Sequence, residues 1–148
     1  IMDSFGEMGS LFSLADLTIL GGSFVPKGGH NPLEPAAFGL PIITGPHIFK
    51  NTAEFAGLRD RGVVFDMIND GADPASTGQA LADVAVAIMR DKAQYRRIAS
   101  AAKTYAAKAR KRSDDAAKMI AEIAPATLSL IHLPSPRDGL LSRMPSSA

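Results

Sequence analysis

Leu17-Thr18-Ile19-Leu20-Gly21-Gly22-Ser23-Phe24-Val25-Pro26-Lys27-Gly28-Gly29-His30-Asn31-Pro32-Leu33-Glu34 decides the fold. Its first four residues are apolar-rich and stop at a Gly-Gly pair, the pattern of a short buried strand ending at a turn. A loop with four glycines follows. Asn31 then reads as the N-cap of a helix with Pro32 at its first position, where a missing N–H costs nothing.

Outward from this unit the same form recurs. Residues 41–43 make an apolar run stopped by Thr44-Gly45-Pro46, and residues 62–65 make a third. Helical stretches are expected over 7–15, 31–38 and 51–59. Near-continuous apolar runs without clean alternation predict strands covered on both faces, as in a parallel sheet with crossover helices. The fold class is therefore α/β, with part of a doubly wound sheet in the first half. From Ser76 the period changes: Leu81, Val84, Ala85, Ile88 and Met89 share one helical face. Ser76-Thr77-Gly78-Gln79 fits a capping box at that helix's start. A second helix carries Tyr95, Ile98, Ala99, Ala102 and Tyr105, and Ser113 is the expected N-cap of a third with Ile120 and Ile123. Residues 1–124 are read as one domain with a helical C-terminal end. Residues 125–148, rich in Pro, Ser and Arg, are read as a flexible tail.

Composition bounds the chemistry. The 148 residues carry 16 Lys+Arg against 15 Asp+Glu, a net charge of +1, so no global field recruits nucleic acid, and an anion must be held locally. The cysteine count of zero excludes thiol catalysis, cysteine-ligated zinc, iron–sulfur sites and disulfides. With 46% hydrophobic residues the chain has enough apolar surface for an unstapled core. Apolar stretches are interrupted by Asp16 and Asp83, short of the ~18 residues a membrane span needs. The chain begins at Ile1 without signal-peptide features, and the expectation is the C-terminal part of a longer protein, this piece of it soluble.

The glycine loop holds the chemistry. Glycines let backbone amides approach a ligand, and a helix start adds unpaired N–H donors. Gly28, Gly29 and the start of the following helix are thus an expected anion site, with Lys27 and His30 beside it. Glu34, in the first turn, repels a phosphate lying on the helix end but accepts hydrogen bonds from a ribose diol, so a nucleotide suits both groups. Two plainer readings stay open: Asn31 and Glu34 as a capping pair, and glycines that only turn the chain. His30 and Glu34 share i, i+4 spacing but lack the remaining ligands of a metal site. Asp3-Ser4-Phe5-Gly6-Glu7-Met8-Gly9 is a second candidate segment, and Thr44-Gly45-Pro46-His47 a third, at a strand's C-terminal end. The basic run at 108–112 reads either as a solvated helix end or as a contact for an anionic membrane surface.

Together, the segment from Asp3 to Gly9, the loop from Gly21 to Pro26, Gly28-Gly29-His30-Asn31-Pro32-Leu33-Glu34-Pro35-Ala36 and Gly45-Pro46-His47 resemble the C-terminal domain of 3-deoxy-D-manno-octulosonic acid (Kdo) transferases. The likeness runs in order from about residue 3 to 65. It implies a Rossmann-like GT-B C-terminal domain that holds the donor CMP-Kdo, in an enzyme that passes Kdo with inversion to the lipid A precursor, lipid IVA, on the cytoplasmic face of the Gram-negative inner membrane. It implies no cofactor, no metal and no nucleic-acid partner. Phe5, Gly6 and Glu7 would line the nucleotide site; Asn31, Pro32, Leu33 and Glu34 would contact it, with Glu34 on the ribose; Gly28, Gly29 and His30 would neighbour the phosphate and donor sugar. Ser4 and Phe5 replace an expected Thr and Met, and Lys27 a frequent His. The family's general base belongs to an N-terminal domain, which would also meet the lipid acceptor, so no catalytic residue is expected in this chain and no turnover from it alone. Against this stand a nucleotide-binding or interaction module without catalysis, and another GT-B enzyme using a different nucleotide sugar.

Overall fold

The computed structural model describes residues 8–67 and 74–123. The expected tail at 125–148, and Phe5, Gly6 and Glu7, lie outside them. The chain divides into two compact units, Ile1–Arg112 and Ser113–Ala148. Of the second, the described residues are the end of the last helix, 113–123.

In the first unit three strands, β1 (Thr18–Leu20), β2 (Ile42–Thr44) and β3 (Val64–Asp66), form a parallel sheet in the order β1-β2-β3. Thr18 pairs with Ile42 and Ile42 with Val64, while Leu20 pairs with Thr44 and Thr44 with Asp66. The three C-terminal ends therefore share one edge of the sheet, where open α/β sheets bind ligands. The crossovers contain α2 (Leu33–Phe38) and α3 (Thr52–Arg59); α1 (Met8–Leu14) precedes β1, and α4 (Pro74–Arg90) and α5 (Lys92–Ile123) follow β3. All three strands and the first three helices stand where the apolar runs placed them, with ends moved by one or two residues.

Burial follows position. Central β2 is wholly buried, as predicted for a strand covered on both faces. β1 departs from that prediction: Ile19 is 46% exposed, because only one side of this strand pairs with a neighbour among the described residues. Phe55 and Leu58 of α3 are fully buried with Ile42, Ile43 and Val63, and Ile88, Ile98, Ala102 and Ala106 complete the core. Each fully buried large aliphatic or aromatic side chain contributes about 1.5–3 kcal/mol. α1 meets α2 through the tilted ring pair Phe12–Phe38, centroids 5.9 Å apart. α2 stops at Gly39, whose φ of 82° is left-handed and whose N–H returns to Ala36 and Pro35 carbonyls.

The helical half corrects three sequence readings. Ser76 does not start a helix, because α4 begins at Pro74, where proline's fixed φ suits a first helical position. Gln79 instead donates to Asp83 Oδ1 at 2.9 Å, one turn along. Ser113 is no N-cap either, since α5 runs unbroken through it to Ile123. Nothing in the sequence around Ser113 stops a helix, and Ser is tolerated in an exposed interior. The break falls at Asp91, whose Oδ1 accepts the Ala93 and Gln94 N–H groups at 3.0 and 2.9 Å and so caps α5. Met89, expected on the buried face of α4, is 48% exposed while Leu81, Val84, Ala85 and Ile88 pack on the core. No described helix is long and apolar enough to cross a membrane.

Candidate functional site

The loop after β1 opens with a 3₁₀ turn, Gly21–Ser23, and closes at α2. Ser23 fixes it. The hydroxyl is fully buried, donates to the Leu20 carbonyl and accepts the Gly45 N–H at 2.7 Å, while the Ser23 carbonyl accepts the His47 N–H at 3.0 Å. The loops after β1 and β2 are thus joined through one residue that the sequence reading passed over. Its only sequence signal was a small hydroxyl just past a strand end, where such groups bond local backbone. Thr44, expected as a polar group offered to a ligand, is instead fully buried and donates to the Gly45 carbonyl at 3.3 Å.

Gly28 and Gly29 take φ of 90° and 74°, so here glycine does turn the chain. A Cβ at Gly28 would collide with the Phe49 and Lys50 side chains at 2.7 Å, and one at Gly29 would lie 3.2 Å from the His47 carbonyl. Both glycines therefore pack this loop onto the following one. Lys27 is exposed, and its N–H returns to the Val25 carbonyl at 2.6 Å.

At the start of α2 the Asn31 side chain accepts the Leu33 N–H at 3.0 Å, and the Pro32 carbonyl accepts the Ala36 N–H at 3.2 Å. Pro32 has helical angles, φ −77° and ψ −13°, so Asn31 behaves as the cap and Pro32 as the first position, as its sequence suggests. This alters the electrostatic expectation. α2 is only six residues long, and Pro32 and Pro35 bring no N–H while Leu33's is taken. Few helix-start donors remain for an anion. Glu34, on the other hand, forms no hydrogen bond or ion pair with another described residue, so the reciprocal half of a capping box is absent.

Glu34 and Asn31 open onto a cleft of about 310 Å³ at the β1 edge. Gly21, Gly22 and His30 line it with them, and Thr18, Ile19 and Leu20 of β1 with Met8 and Phe12 of α1 give it an apolar wall. Five residues named or flanked by the sequence reading of the glycine loop are therefore brought together. Gly28, Gly29, Pro32 and Leu33 are not in that lining: Pro32 and Gly28 are buried, and Leu33 and Gly29 half-buried, beside or behind it. The arrangement is polarised. An acid on α2 can accept hydroxyl hydrogens, His30 can donate to an anion, and Met8, Phe12 and Ile19 can cover a flat apolar group. Among the described residues no three His, Asp or Glu side chains gather closely enough to hold a metal ion.

Tyr95 and Arg59 carry perturbed ionisation, both away from this cleft. Burial first, and the nearby Asp16 second, push the Tyr95 phenol up; its O–H donates to the Asp16 carbonyl at 2.9 Å, tying α5 to the segment before β1. The Arg59 guanidinium is held above its ordinary range by its two-pronged pair with Asp66, both contacts 2.6 Å.

No protein-family model matches the sequence. Curated relatives do. The 3-deoxy-D-manno-octulosonic acid transferase of Haemophilus influenzae is 36% identical over 99 residues, 67% of this chain and 22% of that protein. The enzyme of the same name from Rickettsia typhi is 43% identical over 81 residues, 55% of this chain and 17% of its own, and that of Aquifex aeolicus 37% over 70 residues, 47% and 20%. The chain thus spans about a fifth of the length of these relatives. Among solved structures, the C-terminal CMP-Kdo binding domain of WaaA from Acinetobacter baumannii is similar with a TM-score of 0.60 and 26% identity, over 70% of this chain and 50% of that one. The parallel α/β arrangement agrees with both kinds of likeness, and the chain is similar to part of the C-terminal domain of Kdo transferases.

Proposed function

We propose that this chain is the donor-binding part of a glycosyltransferase that moves Kdo from CMP-Kdo to the lipid A precursor, lipid IVA, in lipopolysaccharide biosynthesis at the cytoplasmic face of the inner membrane. The observation that carries the reading is the cleft in which Glu34, Asn31, His30 and the Gly21-Gly22 turn converge at the C-terminal edge of a parallel sheet. CMP offers the matching groups: a ribose diol for the Glu34 carboxylate and a phosphate for the His30 end. Asn31 supports the site by capping α2, which leaves the Glu34 carboxylate to the ligand. Pro32 and Leu33 hold these two in place; Phe5, Gly6 and Glu7 complete the nucleotide contacts, and Gly28 and Gly29 set the loop.

In the transfer, a base must take the proton of the acceptor hydroxyl while the departing CMP phosphate is stabilised. The residues of this chain serve the second task. The base, the lipid acceptor and the membrane contact belong to the part of the relatives' length that this chain does not span, so the segment alone binds donor without turnover. No metal is required in this scheme.

Calorimetric titration with CMP tests the reading. Glu34→Ala is expected to weaken binding by about 1–3 kcal/mol, the worth of a carboxylate accepting two hydroxyl hydrogens. Unchanged affinity together with a lower melting temperature would assign Glu34 a structural role and overturn the proposal.

A further inference from the structure

Gly22 has no backbone reason to be glycine. It sits in the 3₁₀ turn and is not among the glycines with positive φ, which are Gly28, Gly29, Gly39 and Gly62 of the described residues. Its surroundings supply one. A Cβ at position 22 would lie 3.0 Å from both Cδ2 and Nε2 of His30, closer than nine in ten real Cβ contacts, and the next atom, at 4.0 Å, is again of His30. The imidazole therefore lies edge-on against the turn in space that any side chain at 22 would take. His30 itself is exposed and forms no hydrogen bond or ion pair with a described residue. Among the described residues no hydrogen-bond or ion-pair partner holds the ring, and the bare backbone at 22 leaves room for this seat. Among the described residues lining the cleft, His30 alone can carry positive charge.

We infer that Gly22 is a positioning residue, and that its bare backbone seats His30 where the imidazole donates to the phosphate of a nucleoside monophosphate bound in the cleft. The inference rests on the donor-site reading above and adds to it the residue that aims the phosphate-binding group. Among the described residues a side chain at 22 meets His30 alone within 4 Å, so its effect is expected to vanish once His30 is gone.

The test is a double-mutant cycle in the complete polypeptide, titrated with CMP and with cytidine, which lacks the phosphate. His30→Ala is expected to weaken CMP about tenfold and cytidine less than about twofold, as loss of one charge-assisted hydrogen bond would do. Gly22→Ala is expected to reproduce both values, and the double variant to be no worse than either single one. Should Gly22→Ala fold poorly, the double variant, which removes the clash, still reports whether the two effects merge. CMP bound as tightly by Gly22→Ala as by the wild type would overturn the inference. So would equal losses for CMP and cytidine, or a further loss in the His30→Ala background. Glu34→Ala separates the two levels: if it weakens both ligands while Gly22→Ala weakens neither, the donor site stands and the seat does not. Absence of CMP binding by the wild type removes both.

Discussion

Gly45→Ala is the substitution for which the geometry makes the sharpest demand. A Cβ there would lie 2.5 Å from the Ser23 carbonyl oxygen, 2.8 Å from its carbon and 2.9 Å from Phe24 Cα, all backbone atoms with no flexible end to swing aside. Ordinary contact begins near 3.4 Å, so the two loops must part by 3.4 − 2.5, or about 0.9 Å. Such a shift would carry the Gly45 N–H bond to Ser23 from 2.7 to about 3.6 Å and the His47 N–H bond from 3.0 to about 3.9 Å, beyond useful reach. Two bonds at a buried serine are worth about 1 kcal/mol each, and overpacking adds about 1–3 kcal/mol. The expected destabilisation is about 3–5 kcal/mol, a fall of roughly 10 °C in melting temperature for a chain of this size. Gly21→Ala is the matched control. No atom of a described residue lies within 4 Å of its Cβ and its φ is not positive, so it should melt within about 0.5 kcal/mol of the wild type. Thermal denaturation followed by circular dichroism reads both, and CMP titration should show weaker binding for Gly45→Ala, whose displaced turn lines the cleft. A Gly45→Ala protein melting within about 2 °C of the wild type would refute the argument that Ser23 joins these loops.

Gly57→Ala drives a Cβ into the Tyr105 ring, whose face also carries Arg61 with its guanidinium carbon 4.8 Å from the centroid. It should cost about 1–3 kcal/mol alone but add less than about 0.5 kcal/mol to Tyr105→Ala, as denaturant titration of the cycle will show. Tyr95 supplies a pH signature. Its phenol is raised above 10.0 in the fold, so its contribution is complete below that value and is lost as pH rises through the raised value. Melting temperature measured from pH 8 to about 11.5 should therefore fall more steeply in the wild type than in Tyr95→Phe; parallel curves would count against the role given to the burial of this phenol.

Strands and crossover helices were legible because apolar runs and glycine stops are local signals that burial in a parallel sheet then confirms. β1, β2 and β3 needed only small changes at their ends. The helical half was less legible for two physical reasons. Ser76 and Ser113 look like caps, yet a serine caps only where the backbone has already left the helix, and no Gly or Pro stands between Lys92 and Ile123 to stop α5 at its exposed second half. Asp91, the cap that does act, lies between two helical patterns that run almost into each other, so its signal was masked. At the site, Asn31, Glu34 and His30 were readable from their place around one helix start. Ser23 and Gly22 were not, because their importance lies in contacts with Gly45 and His30 across the loop, which no local spacing encodes.

The same helix start also separates two roles that its sequence confounds. Asn31 and Glu34 stand at the spacing of a capping box, in which each side chain would answer the other's backbone. Neither does so here: Asn31 accepts the Leu33 N–H instead, Glu34 bonds no described residue, and with prolines at 32 and 35 the first turn has few further donors to satisfy. Glu34 is thus relieved of a structural duty by the residues around it. A carboxylate so placed, exposed on the cleft wall with no described partner, repels anions near it, while His30, seated against the Gly21–Ser23 turn, can donate to them. On the proposed reading a nucleotide would lie with its sugar toward α2 and its phosphate toward the 3₁₀ turn. Glu34→Gln should weaken CMP far less than Glu34→Ala, since the amide oxygen still accepts a ribose hydroxyl while both variants remove the charge; equal losses in the two titrations would count against a hydroxyl held at this position.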